Sequence, residues 1–191
     1  TGNIYKEYND RPVKSNSMDF DDLLMKTNEL LNNHPEVLAK YQEKFKYILV
    51  DEYQDTNNSQ YLIVKSLSDR YQNICVVGDD AQSIYSFRGA NINNIINFRN
   101  DYDDVEIFRL EQNYRSTKNI VNAANSVIDH NKNKIDKEVW TENDFGDKVQ
   151  ISSNQSDIAE ARSICQKIQT INDSNLSDTA ILYRTNAQSR P

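Results

Sequence analysis

Two short apolar runs, KYILVD at 46–51 and NICVVG at 73–78, constrain this chain more than any other feature. Each is strand-length and nearly continuous in Val, Ile and Leu, which is how strands buried on both faces read. A helical stretch over 58–70 separates them. Parallel strands need a crossover of about a dozen residues, usually a helix, so the pair predicts a parallel sheet in an α/β fold.

The alternation continues to both sides. Residues 4–11 read as a helix interrupted at Pro12, 18–32 as an amphipathic helix, and 35–44 as a helix opened by Pro35. A further helix is expected near 91–99 and another over 117–131, capped by Ser116. Asp157 with Glu160 resembles a capping box for a helix reaching residue 170. Strands are expected at 105–110, 148–152 and 179–183. The whole predicts parallel sheets with helices on both faces. The polar stretch 131–147 reads as a surface connection.

Composition narrows the class. Acidic residues number 29 against 22 basic, a formal charge of −7. This disfavours a protein coated in basic charge for nucleic acid, but not one that meets a strand along a narrow track. Eighteen aromatics and the aliphatic runs suffice for a core. No run of about 18 apolar residues is present, so no membrane span is expected. Two cysteines, Cys75 and Cys165, make neither a disulfide framework nor a zinc set, which points to a reducing, cytoplasmic compartment.

Four segments carry chemistry. In YILVDEYQDT, 47–56, an apolar strand ends in two carboxylates, and ligands of parallel sheets sit at the carboxyl ends of strands. Asp51 there suits Mg²⁺, and Glu52 suits orientation of an attacking water; the same pair is equally a solvated turn. In VVGDDAQSIYSFRGA, 76–90, Gln82 offers a donor and an acceptor to a phosphate or its water. Tyr85, Phe87 and Arg88 have the makings of a single-strand platform, with bases on rings and Arg on phosphate. As core residues the two rings would be unremarkable, except that a spacing of two does not fit a helical period. In LEQNYRST, 110–117, Tyr114 can stack on a purine and Arg115 can reach an anion; alone, this is a helix-capping turn. In AILYRTNAQSR, 180–190, Arg184, Thr185 and Asn186 can donate to phosphate, or simply end a strand.

Taken together and in this order, these segments resemble the UvrD/Rep/PcrA-type superfamily 1 DNA helicases. MDFDDLL at 18–24 resembles the stretch that precedes the DEYQDT strand in that family, and the likeness covers nearly the whole chain. It implies parts of two RecA-like domains, 1–110 and 111–191, with ATP and Mg²⁺ as cofactors. Asp51 and Glu52 would serve the metal, with Glu52 activating the hydrolytic water. Gln82 would link the γ-phosphate to the DNA track, Tyr114 would stack on adenine, and Arg115 would act as an arginine finger. Tyr85, Phe87, Arg88, Arg184 and Asn186 would meet single-stranded DNA. The family couples ATP turnover to 3′→5′ stepping in repair or replication and engages single strands and duplex junctions.

One departure matters. The glycines are Gly2, Gly78, Gly89 and Gly146, and none precedes a lysine, so the GxxxxGK[ST] phosphate loop is missing. The family's later arginine motif is missing too. The chain therefore reads as the middle of a longer protein, inactive towards ATP by itself and able to self-associate through exposed sheet edges. A helicase subunit of a helicase–nuclease is the alternative setting.

Overall fold

The computed structural model describes residues 2–132, 134–170 and 176–189. Arg190, the last residue of the AILYRTNAQSR segment, lies outside the described residues.

Helix α1 spans Gly2–Lys14 and runs through Pro12. Pro12 removes only the hydrogen bond that would reach back to residue 8, and the helix ends two residues later, so the interruption expected there does not occur. Helix α2, Phe20–Asn33, starts at a reciprocal cap: Asp19 accepts from the Asp22 amide, and Asp22 accepts from that of Asp19. Helix α3 is Pro35–Lys44. Strand β1, Ile48–Val50, is followed by helix α4, Asn58–Ser68, and strand β2, Ile74–Val76. The two strands pair in parallel, Ile48 with Ile74 and Val50 with Val76. Helix α2 packs on α4 and α3. Asn28 donates to the Ser59 carbonyl and Gln42 to that of Ser66, tying the layer together.

Beyond the pair, the expected sheets do not form among the described residues. Segments 105–110, 148–152 and 179–183 form no ladder. Helices do not cover both faces either: Ile48, Val50, Ile74 and Val76 are half-buried, whereas Leu49 and Cys75, pointing the other way, are exposed. A strand needs a partner for its amides and a layer for its side chains. Phe108, Leu110, Ile151 and Leu182 have neither here and stand 80–97% exposed. The accessible surface is 15,743 Å², against about 9,400 Å² for a folded monomer of this mass. Among the described residues only Leu31, Tyr53 and Val121 are fully buried apolar side chains.

The later elements differ in detail from expectation. The 91–99 helix is a short α5, Asn93–Ile96, followed by a 3₁₀ turn at Phe98–Asn100. Helix α6 is Lys118–Ile128, and Ser116 does not cap it. Asn113 Oδ1 accepts from the Arg115 and Ser116 amides, and the carbonyls of Asp144 and Phe145 take those of Lys118 and Asn119. Helix α7 is Asp157–Thr170, with the Ser156 hydroxyl, not Asp157, accepting from the Ala159 amide.

The stretch around 134–147 is not a loose surface connection. The Trp140 amide donates to the Glu111 carbonyl, and the Asn113 amide donates to that of Trp140. The Asn143 side chain donates to the carbonyls of Tyr114 and Ser116. Gly146, at φ +62°, lies so close to Thr117 that a Cβ there would fall 2.5 Å from its methyl carbon. Polarity hid this packing, because its contacts run through backbone groups.

Candidate functional site

The site begins where β1 stops pairing regularly. Val77 donates to the Val50 carbonyl and accepts from the Tyr53 amide, one residue further along than a regular parallel register places the acceptor's partner. The extra residue pushes Asp51 and Glu52 out of the ladder as a bulge, a device that re-aims side chains. Glu52 carries the distortion, with φ 50° and ψ 42°. A left-handed non-glycine residue costs about 1–2 kcal/mol, and such strain persists only where neighbours over-determine it.

The neighbours are present. Tyr53 is fully buried, edge-on to Phe98 at 5.7 Å between centroids. The Thr56 hydroxyl donates to the Tyr53 carbonyl, and Asn94 donates to both the hydroxyl and the carbonyl of Thr56. Gln54, only 1% exposed, is the hub. Its Nε2 donates to Glu52 Oε2 at 2.8 Å, and its Oε1 accepts from the Asp79 amide at 3.1 Å. Gly78 leaves room for this amide; a Cβ there would sit 2.6 Å from Gln54 Oε1 and 2.8 Å from Ile95 Cδ1.

The second strand tip delivers the facing wall. Asp79 Oδ1 accepts from the Ala81 amide, opening a 3₁₀ turn over Asp80–Gln82, and Asp79 Oδ2 accepts from Gln82 Nε2 at 2.8 Å. Lys137 donates to both Asp79 and Asp80, and the Ile135 amide donates to Asp80 at 2.9 Å. Burial pushes the Asp79 carboxyl up, but the hydrogen bonds from Lys137 and Gln82 outweigh it and hold the group below its ordinary value. Burial likewise works against the Lys137 charge, and Asp79 and Asp80 more than offset it, raising its pKa. Glu52, Gln54, Asp55, Ala81, Gln82, Ile84 and Tyr85 line a cleft of about 500 Å³.

The same loop then presents its rings. Tyr85 and Phe87 lie 6.0 Å apart, tilted by 39°, and the Arg88 guanidinium sits 5.4 Å and 5.5 Å from their centroids. Arg184 reaches the Phe87 ring at 6.0 Å. Phe87 remains 66% exposed, so it is no core residue. Gly89, at φ +87°, ends the turn.

The structure thus brings Glu52, Gln82 and Tyr85 to one cleft, and Tyr85, Phe87, Arg88 and Arg184 to one platform. Asp51 stands exposed at the strand tip, with Oδ1 accepting from the Glu52 amide. Tyr114 is 77% exposed and bonded to Gln112, and the Arg115 guanidinium has no ion pair among the described residues. Asn186 opens a terminal 3₁₀ turn, where its carbonyl accepts from the Ser189 hydroxyl. Sequence reasoning passed over Gln54, Asp79 and Lys137. The first has a readable signal, a glutamine inside a strand-tip turn; the last has none, being 58 residues from Asp79.

Among the described residues no three His, Cys, Asp or Glu side chains gather as a metal cage. The donor set, hard carboxylate oxygens at an open strand tip, fits Mg²⁺, which is held by one or two carboxylates together with substrate phosphates. No helix among the described residues is long and apolar enough to cross a membrane.

Comparison with known proteins gives the family. Residues 1–103 match the UvrD/REP helicase N-terminal domain, and residues 108–191 match the UvrD-like helicase C-terminal domain. The chain is 52% identical over 190 residues to the ATP-dependent DNA helicase PcrA of Bacillus subtilis (strain 168), covering 98% of this chain and 26% of that protein. It is 50% identical to PcrA of Leuconostoc citreum, 98% and 25% covered, and 48% identical to PcrA of Staphylococcus aureus (strain Mu50), 98% and 26% covered. The chain spans about a quarter of the length of these curated relatives. By these matches the chain belongs to the UvrD/REP helicase family.

Proposed function

We propose that these residues form part of an ATP-dependent DNA helicase or translocase, hydrolysing ATP beside Glu52 and holding a single strand on the Tyr85–Phe87 platform. One observation carries this reading: a single loop, 79–88, lines the cleft with Gln82 and Tyr85 and exposes a ring flanked by two guanidinium groups. A change in the cleft therefore moves the DNA grip through a few bonds.

The roles follow from free valences. Glu52 Oε2 is taken by Gln54, which leaves Oε1 to accept a proton from water. Gln82 spends one amide hydrogen on Asp79, and the other is free for a phosphate oxygen. Tyr114 offers its exposed ring to adenine, and Arg115 offers to the γ-phosphate a guanidinium without an ion pair among the described residues. Asp51, with Glu52, would hold Mg²⁺, which supplies charge neutralisation of the phosphates when bound. The cleft carries Glu52 and Asp55 and no basic side chain, so the triphosphate needs cationic partners from outside it. Arg184 and Asn186 would follow the DNA backbone.

We place the domain boundary near Leu110–Glu111, stepping 3′→5′ in repair or replication, and the protein in the cytoplasm, where the free thiols of Cys75 and Cys165 stay reduced. Steady-state ATP hydrolysis by the full-length protein, with and without single-stranded DNA, tests the reading. Strong stimulation by the strand is expected; turnover indifferent to DNA would overturn it.

A further inference from the structure

The described residues contain one strut that ties the cleft wall to a distant segment. Lys137 comes from the stretch that also clasps Glu111–Ser116 through Trp140 and Asn143. Its ammonium bridges Asp79 and Asp80. The Asp80 side chain is 2% exposed, with the Ile135 amide as its other partner. Asp79 passes the link on, since its second oxygen holds Gln82.

We propose that Lys137 is a positioning residue for Gln82, acting through Asp79, and that the segment it belongs to joins the Gln82 wall to the Tyr114–Arg115 turn. The assignment rests on the helicase reading above, because that reading gives Gln82 its work. A mobile Gln82 amide samples several rotamers; one oxygen of a fixed carboxylate removes that freedom, provided the carboxylate itself is held. The Ala81 amide fixes Asp79 only from its own turn. Lys137 adds a bond from 58 residues away, so any shift of the 134–143 segment is carried to the amide that faces the cleft. The buried Asp80 anchors the ammonium from a second direction, which makes the bridge directional and not merely attractive.

Steady-state ATPase kinetics of the full-length protein with saturating single-stranded DNA test this. Lys137→Met is expected to lower kcat by about tenfold or more while KM for ATP stays within about twofold, the pattern of an interaction realised at the transition state. Lys137→Arg restores most of the loss. Asp79→Asn, isosteric and cutting the relay at its middle, reproduces it if Lys137→Met folds poorly. Asp80→Asn weakens one of the two anchors of the ammonium but keeps the Lys137–Asp79–Gln82 path, so it lowers kcat less than Lys137→Met does. Adding Lys137→Met to Gln82→Ala lowers kcat no further, because residues acting as a unit are not additive. Wild-type kcat in both Lys137→Met and Asp79→Asn, or losses that multiply with Gln82→Ala, or an Asp80→Asn loss as deep as that of Lys137→Met, would overturn the assignment alone. Absence of DNA-stimulated turnover in the unmodified protein overturns the helicase reading, and this assignment with it.

Discussion

Gln54 Nε2 donates to Glu52 Oε2 at 2.8 Å, so a buried amide holds an exposed carboxylate that its own strained backbone has swung out of the sheet. Removing that amide frees the carboxylate and strands the Asp79 N–H. Gln54→Ala should therefore cost about 1–3 kcal/mol in stability from the unpaired buried donor. It should also lower kcat by about tenfold or more, since positioned proton acceptors contribute about 10²–10⁴-fold. Thermal unfolding and ATPase assays of the same variant separate the two effects.

Gly78 is needed for space rather than for a special dihedral. The Cβ of Gly78→Ala would meet Gln54 Oε1 at 2.6 Å and Ile95 Cδ1 at 2.8 Å. Overpacking of this kind costs about 1–3 kcal/mol. Because Gln54 must yield, turnover should fall as in Gln54→Ala. A lowered melting temperature with full kcat would show that Ile95 alone gives way.

Phe87 is exposed between two guanidinium groups, so its loss should be felt by DNA and hardly by the fold. Phe87→Ala should weaken single-strand affinity by about 1–3 kcal/mol, the usual contribution of a stacked base. Fluorescence anisotropy checks the affinity and thermal unfolding the fold. Arg88→Ala and Arg184→Ala should each also lessen the salt dependence of binding.

The Lys137–Asp79 bridge sets a pH window. Folded Asp79 titrates below its ordinary value of 3.8, so its stabilisation is complete above that value and is lost as pH falls through the folded-state value. Folded Lys137 titrates above its ordinary 10.5, so its contribution is complete below 10.5 and is lost as pH rises past the folded-state value. Tyr61, pushed up to about 12, first by burial and then by its bond to Asp101, adds a second alkaline loss. Hydrogen-exchange protection of the Ala81 and Gln82 amides should be flat between these limits and fall beyond them. Asp79→Asn should flatten the acid side.

The sequence revealed the strand tips and hid what braces them. KYILVD and NICVVG were legible because each is an apolar run of strand length and the helix between them returns the one beside the other. VEIFRL, KVQIS and TAILY are also strand-length, yet none pairs among the described residues, because pairing is a property of two segments. Ser116 looked like a cap because hydroxyls usually are; the Lys118 and Asn119 amides it would have served go instead to the carbonyls of Asp144 and Phe145. Lys137 was invisible for a different reason. A lysine in a polar stretch has no periodicity to betray it, and only the folded chain brings it to Asp79 across 58 residues.

The most direct test is Glu52→Gln in the full-length protein, assayed for single-turnover ATP hydrolysis and single-strand binding together. Hydrolysis should fall by about 10²–10⁴-fold, the contribution of a general base, while DNA affinity stays at the wild-type level. Hydrolysis that survives the substitution would contradict a cleft built around that carboxylate.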